Sequence, residues 1–147
     1  MINKNRYLVT QPDLNAHGTL HGGILMKWVD EACGMQARII TGGVCATRHI
    51  GDINFWSTAR LGDILEVEVK YLYHGKTSLT FSAVVTNVTR NDPDRVAVGV
   101  STKTMLVAEF NEVVFVAVDK EHKPREHKNE SSSFKPLHPD GRSRHKK

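Results

Sequence analysis

One short segment sets the architecture of this chain. It reads His17-Gly18-Thr19-Leu20-His21-Gly22-Gly23 and continues as Ile24-Leu25-Met26-Lys27-Trp28-Val29-Asp30-Glu31. The glycines predict a turn. Apolar residues then recur at helical spacing from Gly23 to about Ile40, which predicts a long helix packed on more than one side. The glycines at 42 and 43 predict where that helix ends.

The start of this helix carries groups suited to attack on a carbonyl. Gly22 and Gly23 leave backbone N–H groups uncovered by side chains at the helix N-terminus, where the first donors have no intrahelical partner. Such donors stabilise a carbonyl oxygen as it gains negative charge. Asp30 and Glu31 lie about two turns further along, where a carboxylate can activate water beside the same pocket wall.

Composition favours one domain without a membrane segment. The chain has 147 residues, 39% of them hydrophobic, which suffices for one core. Its longest apolar runs fall short of the roughly 18 residues that a membrane span needs, and the N-terminus lacks the pattern of a secretory signal. We therefore expect a soluble, cytoplasmic protein. Cys33 and Cys45 occur without a metal-binding pattern and are expected to be packed, reduced thiols.

The positive charge is concentrated at the C-terminal end. The net charge is +4, yet residues 120–147 hold 9 Lys and Arg against 4 Asp and Glu, so the first 119 residues are close to neutral. We predict a folded domain over residues 1–119 and a basic, mobile tail over residues 120–147, since few bulky apolar residues occur there. A neutral body does not favour nucleic acid as a partner.

The remainder of the chain reads as strands. Residues 6–10 predict a short strand, residues 11–18 a loop, and residues 45–57 a β-rich run. Apolar and polar residues alternate over 64–73 and 79–85, which indicates a sheet with one buried face. A turn is expected at 91–94. The last strand region, 96–118, is too long to be unbroken, so a bulge or hairpin is expected near 109–112. The order predicts an α+β fold, a single antiparallel sheet wrapped around the long helix.

Several motifs together resemble those of the hotdog-fold acyl-CoA thioesterases. They are His21-Gly22-Gly23, Asp30-Glu31-Ala32-Cys33-Gly34, Ile53-Asn54-Phe55, Val116-Ala117-Val118-Asp119 and Lys123-Pro124-Arg125. The chain is most similar to the branch that includes the bacterial YciA type and the cytosolic brain-type acyl-CoA hydrolases. The resemblance spans roughly residues 9–125 and rests on the combination, because each motif alone is weak.

This resemblance implies hydrolysis of acyl-CoA thioesters to a free fatty acid and coenzyme A. It implies no cofactor and no metal, since coenzyme A enters only as part of the substrate and product. It also implies a dimer whose two helices lie side by side, with active sites between subunits, and a hexamer built as three dimers. Acyl-CoA is then the expected partner, without a membrane or nucleic acid.

The resemblance also assigns roles at the start of the helix. Asp30 matches the family's acidic residue, which activates water or attacks the carbonyl itself. Gly22 and Gly23 match the glycines whose N–H groups polarise that carbonyl. His21 either bonds in the site or holds the loop, and the sequence does not separate these roles. Glu31 competes with Asp30 but is assigned to packing or an ion pair.

Two positions in the preceding loop concern the same site. Relatives often carry Asn or Asp where this chain has Thr19, which has a hydroxyl but no charge and can orient water without acting as a base. Asn15 matches a residue usual in that loop, where it positions water or, as we favour, caps the turn. The expectation is that Asp30 works with less help than its relatives have.

A second set of residues is expected to bind the coenzyme A end of the substrate. The segment Gly75-Lys76-Thr77-Ser78 matches one that lines the coenzyme A groove in relatives. A glycine break exposes backbone donors, Lys76 offers a positive charge to phosphate, and two hydroxyls can bond pantetheine or diphosphate. An ordinary hairpin turn explains the segment equally well. Arg48 is a further phosphate candidate.

Two other functions fit the same sequence. One is a hotdog dehydratase or hydratase acting on β-hydroxyacyl thioesters, in which His21 and Asp30 would form the essential pair. The other is a non-catalytic sensor of acyl-CoA or nucleotide, with the basic tail recruiting nucleic acid or an acidic partner. Release of free thiol distinguishes hydrolysis from both.

Overall fold

The computed structural model describes residues 2–90 and 104–127. The strands are β1 (Ile2–Leu8), β2 (Cys45–Ile50), β3 (Ile53–Phe55), β4 (Ile64–His74), β5 (Ser78–Asn87) and β6 (Met105–Ala117), and the single α-helix of these residues is α1 (Gly22–Thr41). The strands form one antiparallel sheet in the order β1-β4-β5-β6-β2, with β3 also paired to β6. The predicted α+β architecture, a long helix against one antiparallel sheet, is confirmed.

Helix α1 begins and ends where the glycines predict, within one residue. Gly42 caps its C-terminus in the left-handed conformation, at φ 70°, which glycine adopts without strain. The helix packs on the sheet through a buried stripe: Leu25, Trp28, Val29, Ala32, Cys33, Gln36, Ala37 and Ile40. Trp28 stacks on Tyr7 of β1, with ring centroids 4.9 Å apart. Because this stripe packs on the sheet, only the remaining face of the helix is available for a functional site.

Strands β4 and β5 carry the alternation that predicted them. Their inward side chains are almost fully buried: Leu65, Val67, Val69, Tyr71, Leu79, Phe81, Ala83 and Val85. The polar residues between them in β4 face outward, as a sheet with one buried face requires. These strands form the centre of the hydrophobic core.

The predicted run at 45–57 is divided into β2 and β3 by a break at Gly51 and Asp52. Opposite this break, β6 carries an irregularity: Phe81 pairs with Val113 while Ala83 pairs with Phe110. The extra residue in β6 is a β-bulge. The predicted interruption near 109–112 is therefore confirmed as a bulge within a continuous strand rather than a hairpin. The predicted turn at 91–94 and the start of the last strand region lie outside the described residues.

The folded part of the chain extends past residue 119. Beyond that predicted boundary, Val118 pairs with Pro124, the Arg125 N–H donates to Ala117 O, and His127 is buried. Backbone contacts with the strand ends thus continue to His127, eight residues beyond the predicted boundary, and composition alone does not reveal them. Residues 128–147 lie outside the described part. Within the described residues, no helix combines the length and hydropathy needed to cross a membrane.

Candidate active site

Asp30 faces β2 across the helix–sheet boundary. The Thr47 hydroxyl donates a 2.5 Å hydrogen bond to Asp30 Oδ1. This bond fixes the carboxylate against the sheet, and such a fixed carboxylate is placed to accept a proton from water. The sequence pattern did not select Thr47. The signal that was available is the position of Thr47 in the first strand after the helix.

A groove runs along α1 from Asp30, and we call it the carboxylate groove. It has a volume of about 430 Å³ and is lined by Asp30, Glu31, Gly34, Met35, Arg38, Val44, Cys45, Thr47 and Phe115. Its walls include apolar side chains from both the helix and the sheet. Glu31 also forms an exposed ion pair with Lys27, at 3.8 Å. Asp30, which bonds to the sheet, is therefore the better positioned of the two carboxylates.

A second groove, the Arg48 groove, adjoins the first. It has a volume of about 550 Å³ and is lined by Ala46, Thr47, Arg48, Thr77, Val116 and Pro124. Thr47 pairs with Phe115 and His49 with Val114, so Arg48 is the extra residue of a β-bulge in β2. A bulge redirects a side chain that strict alternation would send to the opposite face. The structure thereby brings Arg48 and Thr77 to a groove that shares Thr47 with the carboxylate groove.

The turn at Gly75, Lys76, Thr77 and Ser78 uses much of its backbone internally. The Gly75 N–H donates to Ser78 O at 2.9 Å, which closes the turn. Lys76 O accepts from the His127 N–H, and Thr77 O accepts from the Ala117 N–H. The backbone donor of Gly75 is thus occupied, while the Lys76 side chain is exposed. The Gly75 N–H is therefore not available to a ligand, whereas the Lys76 side chain is.

The two glycines at the start of α1 differ in what their N–H groups do. His21 is the N-cap, and its Nδ1 accepts the Gly23 N–H at 2.9 Å. No described residue accepts a hydrogen bond from the Gly22 N–H. Gly22 therefore offers the uncovered donor in this structure. Asp30 lies about 12 Å from Gly22 along the helix axis, at about 1.5 Å per residue, and it lies further still from His21.

Asn15 and Thr19 bond to each other within the loop before α1. Asn15 Nδ2 donates to Thr19 Oγ1 at 3.0 Å, and Asn15 Oδ1 accepts the His17 N–H at 2.9 Å and the Thr19 N–H at 3.2 Å. These contacts organise the turn. Within one chain, neither residue bonds to Asp30, so the structure brings Asp30 together with Thr47 and the Arg48 groove, but not with the helix start.

The two cysteines occupy different environments. Cys33 is buried, and burial together with the nearby Asp30 charge raises the pKa of its thiol to about 12, so the thiol stays protonated. Cys45 is half-buried in the carboxylate groove, with its Sγ 3.2 Å from Thr41 Oγ1. Among the described residues, no group of three or more potential ligand side chains is placed to hold a metal ion.

Comparison with known proteins assigns the family. A Buchnera aphidicola protein, named as an uncharacterized acyl-CoA thioester hydrolase, is 30% identical over 73 residues, which are 50% of this chain and 54% of that protein. The chain thus spans about half the length of this curated relative. An acyl-CoA hydrolase from Staphylococcus aureus, solved with butyryl coenzyme A and coenzyme A, superposes with a TM-score of 0.71 at 26% identity, covering 87% of this chain and 71% of that one.

A hexameric thioesterase from Yersinia pestis superposes with a TM-score of 0.71 at 27% identity, covering 84% of this chain and 93% of that one. The sequence model of the thioesterase superfamily matches residues 17–93, a region that contains α1 and strands β2 to β5. The match begins in the loop before α1 and includes both Asp30 and Thr47. With its single sheet and long helix, this chain belongs to the thioesterase superfamily and has the hotdog fold.

Proposed function

We propose that this protein hydrolyses acyl-CoA thioesters to a free fatty acid and coenzyme A. The observation that carries the proposal is the position of Thr47, which bonds to Asp30 and lines both grooves. A proton acceptor therefore lies where a groove with apolar side chains in both walls meets a second groove that carries Arg48. An acyl-CoA has the matching parts, since its thioester joins an acyl chain to a long arm that ends in phosphates.

Asp30 is proposed to activate the attacking water or to attack the thioester carbonyl itself. Thr47 occupies Asp30 Oδ1 and leaves Oδ2 to accept the proton or to form the new bond. The Gly22 N–H is proposed to stabilise the negative charge that develops on the carbonyl oxygen. If Asp30 activates water, the proton that it accepts passes to the sulfur, which leaves as the thiol when the carbon–sulfur bond breaks. If Asp30 attacks directly, the sulfur leaves first, and water then cleaves the acyl–Asp30 anhydride to release the fatty acid and supplies the proton of the thiol.

These two groups require a second copy of the chain. A carbonyl whose oxygen is held by an N–H donor must also lie in contact with the base or with the water that the base activates. Each of these contacts spans roughly 3 Å. Gly22 and Asp30 of one helix are about 12 Å apart along its axis. Two antiparallel helices related by a twofold axis that passes near Met26 place Gly22 of each beside Asp30 of the other. We therefore propose a dimer with two sites, each built from both chains.

The C-terminal half of α1 carries exposed apolar residues, which indicates a contact surface beyond the paired first half of the helix. Met35 and Ile39 lie one turn apart on the helix and are 47% and 71% exposed, although both are apolar. Adjacent exposed apolar residues are typical of an interface. A hexamer of three such dimers is proposed by analogy with the relatives named as hexameric thioesterases.

Residue spacing in a relative supports three of the site residues. Alanine variants of an aspartate, an asparagine and a threonine of the Staphylococcus aureus acyl-CoA hydrolase have been solved. That asparagine lies 15 positions before the aspartate and the threonine 17 positions after it. Asn15, Asp30 and Thr47 have the same separations here. We infer that these three residues act together, so that Thr19 is of less consequence than the sequence suggested.

The Arg48 groove is proposed to hold the phosphates of coenzyme A. Arg48 offers a guanidinium to phosphate, and Thr77 lines the same groove. Lys76 lies beside Thr77 with an exposed ammonium group and can reach the same anion. Gly75 and Ser78 serve mainly to shape the turn that presents these side chains.

A thiol-release assay over acyl-CoAs of increasing chain length tests the proposal. The wild-type protein should release coenzyme A, and Asp30→Asn should reduce kcat by about 100-fold or more, the usual effect of losing a general base. Glu31→Gln is the matched control, because it removes the neighbouring charge from the same helix and should retain most of the activity. Absence of thiol release from every acyl-CoA, including binding without turnover, would contradict the proposal. So would loss of water from a 3-hydroxyacyl thioester without thiol release.

A further inference from the structure

Residues 119–127, which we call the C-terminal strap, cross the ends of three strands. The strap is held by backbone contacts: Val118 pairs with Pro124, the Arg125 N–H donates to Ala117 O at 2.9 Å, and the His127 N–H donates to Lys76 O at 3.0 Å. Arg125 Nε also donates to Val118 O at 3.1 Å. Pro124 lines the Arg48 groove. The strap therefore forms part of the wall of that groove.

His127 anchors the end of the strap in a buried site. The residue is 9% exposed, and its Nε2 lies 3.2 Å from the carbonyl oxygen of Ser78. Since a carbonyl only accepts, Nε2 donates, and in the neutral ring Nδ1 is then the unprotonated nitrogen. Nδ1 is buried and has no hydrogen-bond partner among the described residues. The anchor is therefore built around a neutral imidazole.

His74 and Arg125 oppose a positive charge on His127, whereas the backbone carbonyls that face it favour one. His74 of β4 packs against it edge to face, with ring centroids 5.6 Å apart, and Tyr71 of the same strand is 2.6 Å from His74 Nδ1. Arg125 of the strap contributes a positive charge, and β5 contributes the uncharged carbonyl of Ser78. Lys76 and Glu126 are the adjacent charged residues, and both side chains are exposed.

We infer that His127 is a positioning residue which holds the C-terminal strap against the Arg48 groove while its imidazole is neutral and releases it when protonated. The inference rests on the proposed function in that the groove is taken to bind the phosphates of coenzyme A. Release of the strap withdraws Pro124 from the groove wall and exposes the turn at Lys76. The nucleotide end of the substrate then binds less tightly, while Asp30 and Thr47 remain in place.

The direction of the pH effect follows from burial. Burial lowers the pKa of His127, and the charges of His74 and Arg125 add to the effect, although bonds to backbone carbonyls oppose it. Burial also lowers the pKa of His74. Both groups bind a proton more tightly once the strap opens, so the closed state loses stability as the pH falls below the ordinary histidine pKa of 6.5. Above that pH the closed strap is fully favoured.

Two measurements test the inference separately from hydrolysis. The first is amide hydrogen exchange of Arg125 and His127, corrected for the intrinsic effect of pH. Between about pH 7.5 and pH 5.5, protection of these amides in the wild-type protein should fall at least about threefold relative to strand amides. In His127→Gln the pH-dependent fall should be clearly smaller than in the wild-type protein, because glutamine retains an N–H donor for Ser78 O without titrating near neutrality and only the response of His74 is left.

The second measurement compares KM values for an acyl-CoA and for the corresponding acyl N-acetylcysteamine thioester, which lacks the nucleotide. For the wild-type protein the acyl-CoA KM should rise at least about threefold over that pH range, and the KM of the short thioester should stay constant. The matched control is His122→Asn, an exposed strap residue at φ 62° where asparagine is tolerated, and it should behave as wild type. Titration of the substrate phosphate is common to all variants and cancels in the comparison with His127→Gln.

A strap whose protection does not change with pH in the wild-type protein would overturn the inference even if hydrolysis is robust. Equal shifts of the acyl-CoA KM in wild type and His127→Gln would also overturn it. By contrast, if the strap opens with falling pH but the protein hydrolyses no acyl-CoA, the proposed function is refuted and the role of His127 in holding the strap stays supported.

Discussion

The Thr47 hydroxyl donates a 2.5 Å hydrogen bond to the Asp30 carboxylate, although the two residues are 17 positions apart in the sequence. The end of the helix, a turn and the start of a strand lie between them. The bond orients the carboxylate and ties the helix to the strand that carries Arg48. Because Thr47 lines both grooves, it lies between the proposed binding sites for the acyl end and the nucleotide end of the substrate.

Thr47→Val should lower kcat with little change in the fold. Valine keeps the shape of the side chain but removes the hydroxyl, so Asp30 loses its orienting donor. We expect kcat to fall about 10-fold or more, since misplaced catalytic groups cost rate steeply. Thr47→Ser is the control and should retain most of the activity. A Thr47→Val protein with wild-type kcat would show that the hydrogen bond does not position the base.

Arg48→Ala should raise KM for acyl-CoA and leave kcat nearly unchanged. A charged hydrogen bond at this partly exposed position corresponds to about a threefold to tenfold change in KM. The KM of the wild-type protein should also rise with salt, more steeply than that of the variant. Lys70→Ala removes an exposed cation from β4 and serves as the control. Equal effects of the two substitutions would argue against a phosphate site at Arg48.

Asp63 should contribute stability that is lost in acid. Burial by itself raises the pKa of Asp63, but hydrogen bonds from the Arg60 N–H, Arg90 and Asn87, together with the Arg90 charge, outweigh it and hold the pKa below 3.8. A lowered folded pKa stabilises the fold above the unfolded value, and the stabilisation disappears as the pH falls through the folded value. The free energy of unfolding should therefore decrease as the pH is lowered below about 4.

Asp63→Asn should reduce the free energy of unfolding at neutral pH by about 1–3 kcal/mol, because buried Asn87 is left with a poorer partner. The acid dependence should become shallower in the variant. Urea unfolding at a series of pH values measures both effects, and exposed Asp52→Asn is the control. Identical pH curves for wild type and Asp63→Asn would refute this account.

Gly42→Ala should destabilise the end of α1. Gly42 has φ 70°, and an added Cβ would meet no atom within 4 Å, so the cost is conformational and not steric crowding by neighbours. We expect a loss of about 1 kcal/mol in the free energy of unfolding. Gly42→Asn should lose less, because asparagine adopts this conformation more readily. Chemical denaturation that ranks alanine as no worse than asparagine would contradict the prediction.

The sequence predicted those elements whose periodicity is set by burial. Helix α1 and strands β4 and β5 are evident because their buried residues recur every turn or every second position. The positions of Thr47 and Arg48 could not be predicted in this way, since a bulge alters the alternation around them. The strap was taken for a tail because its contacts are backbone bonds, which composition does not encode. Asp30 was identified by resemblance, and its partner only by the fold.

The separation of Gly22 and Asp30 on one helix has a genetic consequence. In a dimer with shared sites, a chain defective at Asp30 and a chain defective at Gly22 damage different halves of each site. A heterodimer of the two then holds one doubly defective site and one intact site. Random mixing of two inactive proteins should restore about a quarter of the wild-type number of sites, by intersubunit complementation. Two genes that each encode an inactive protein would together support activity in one cell.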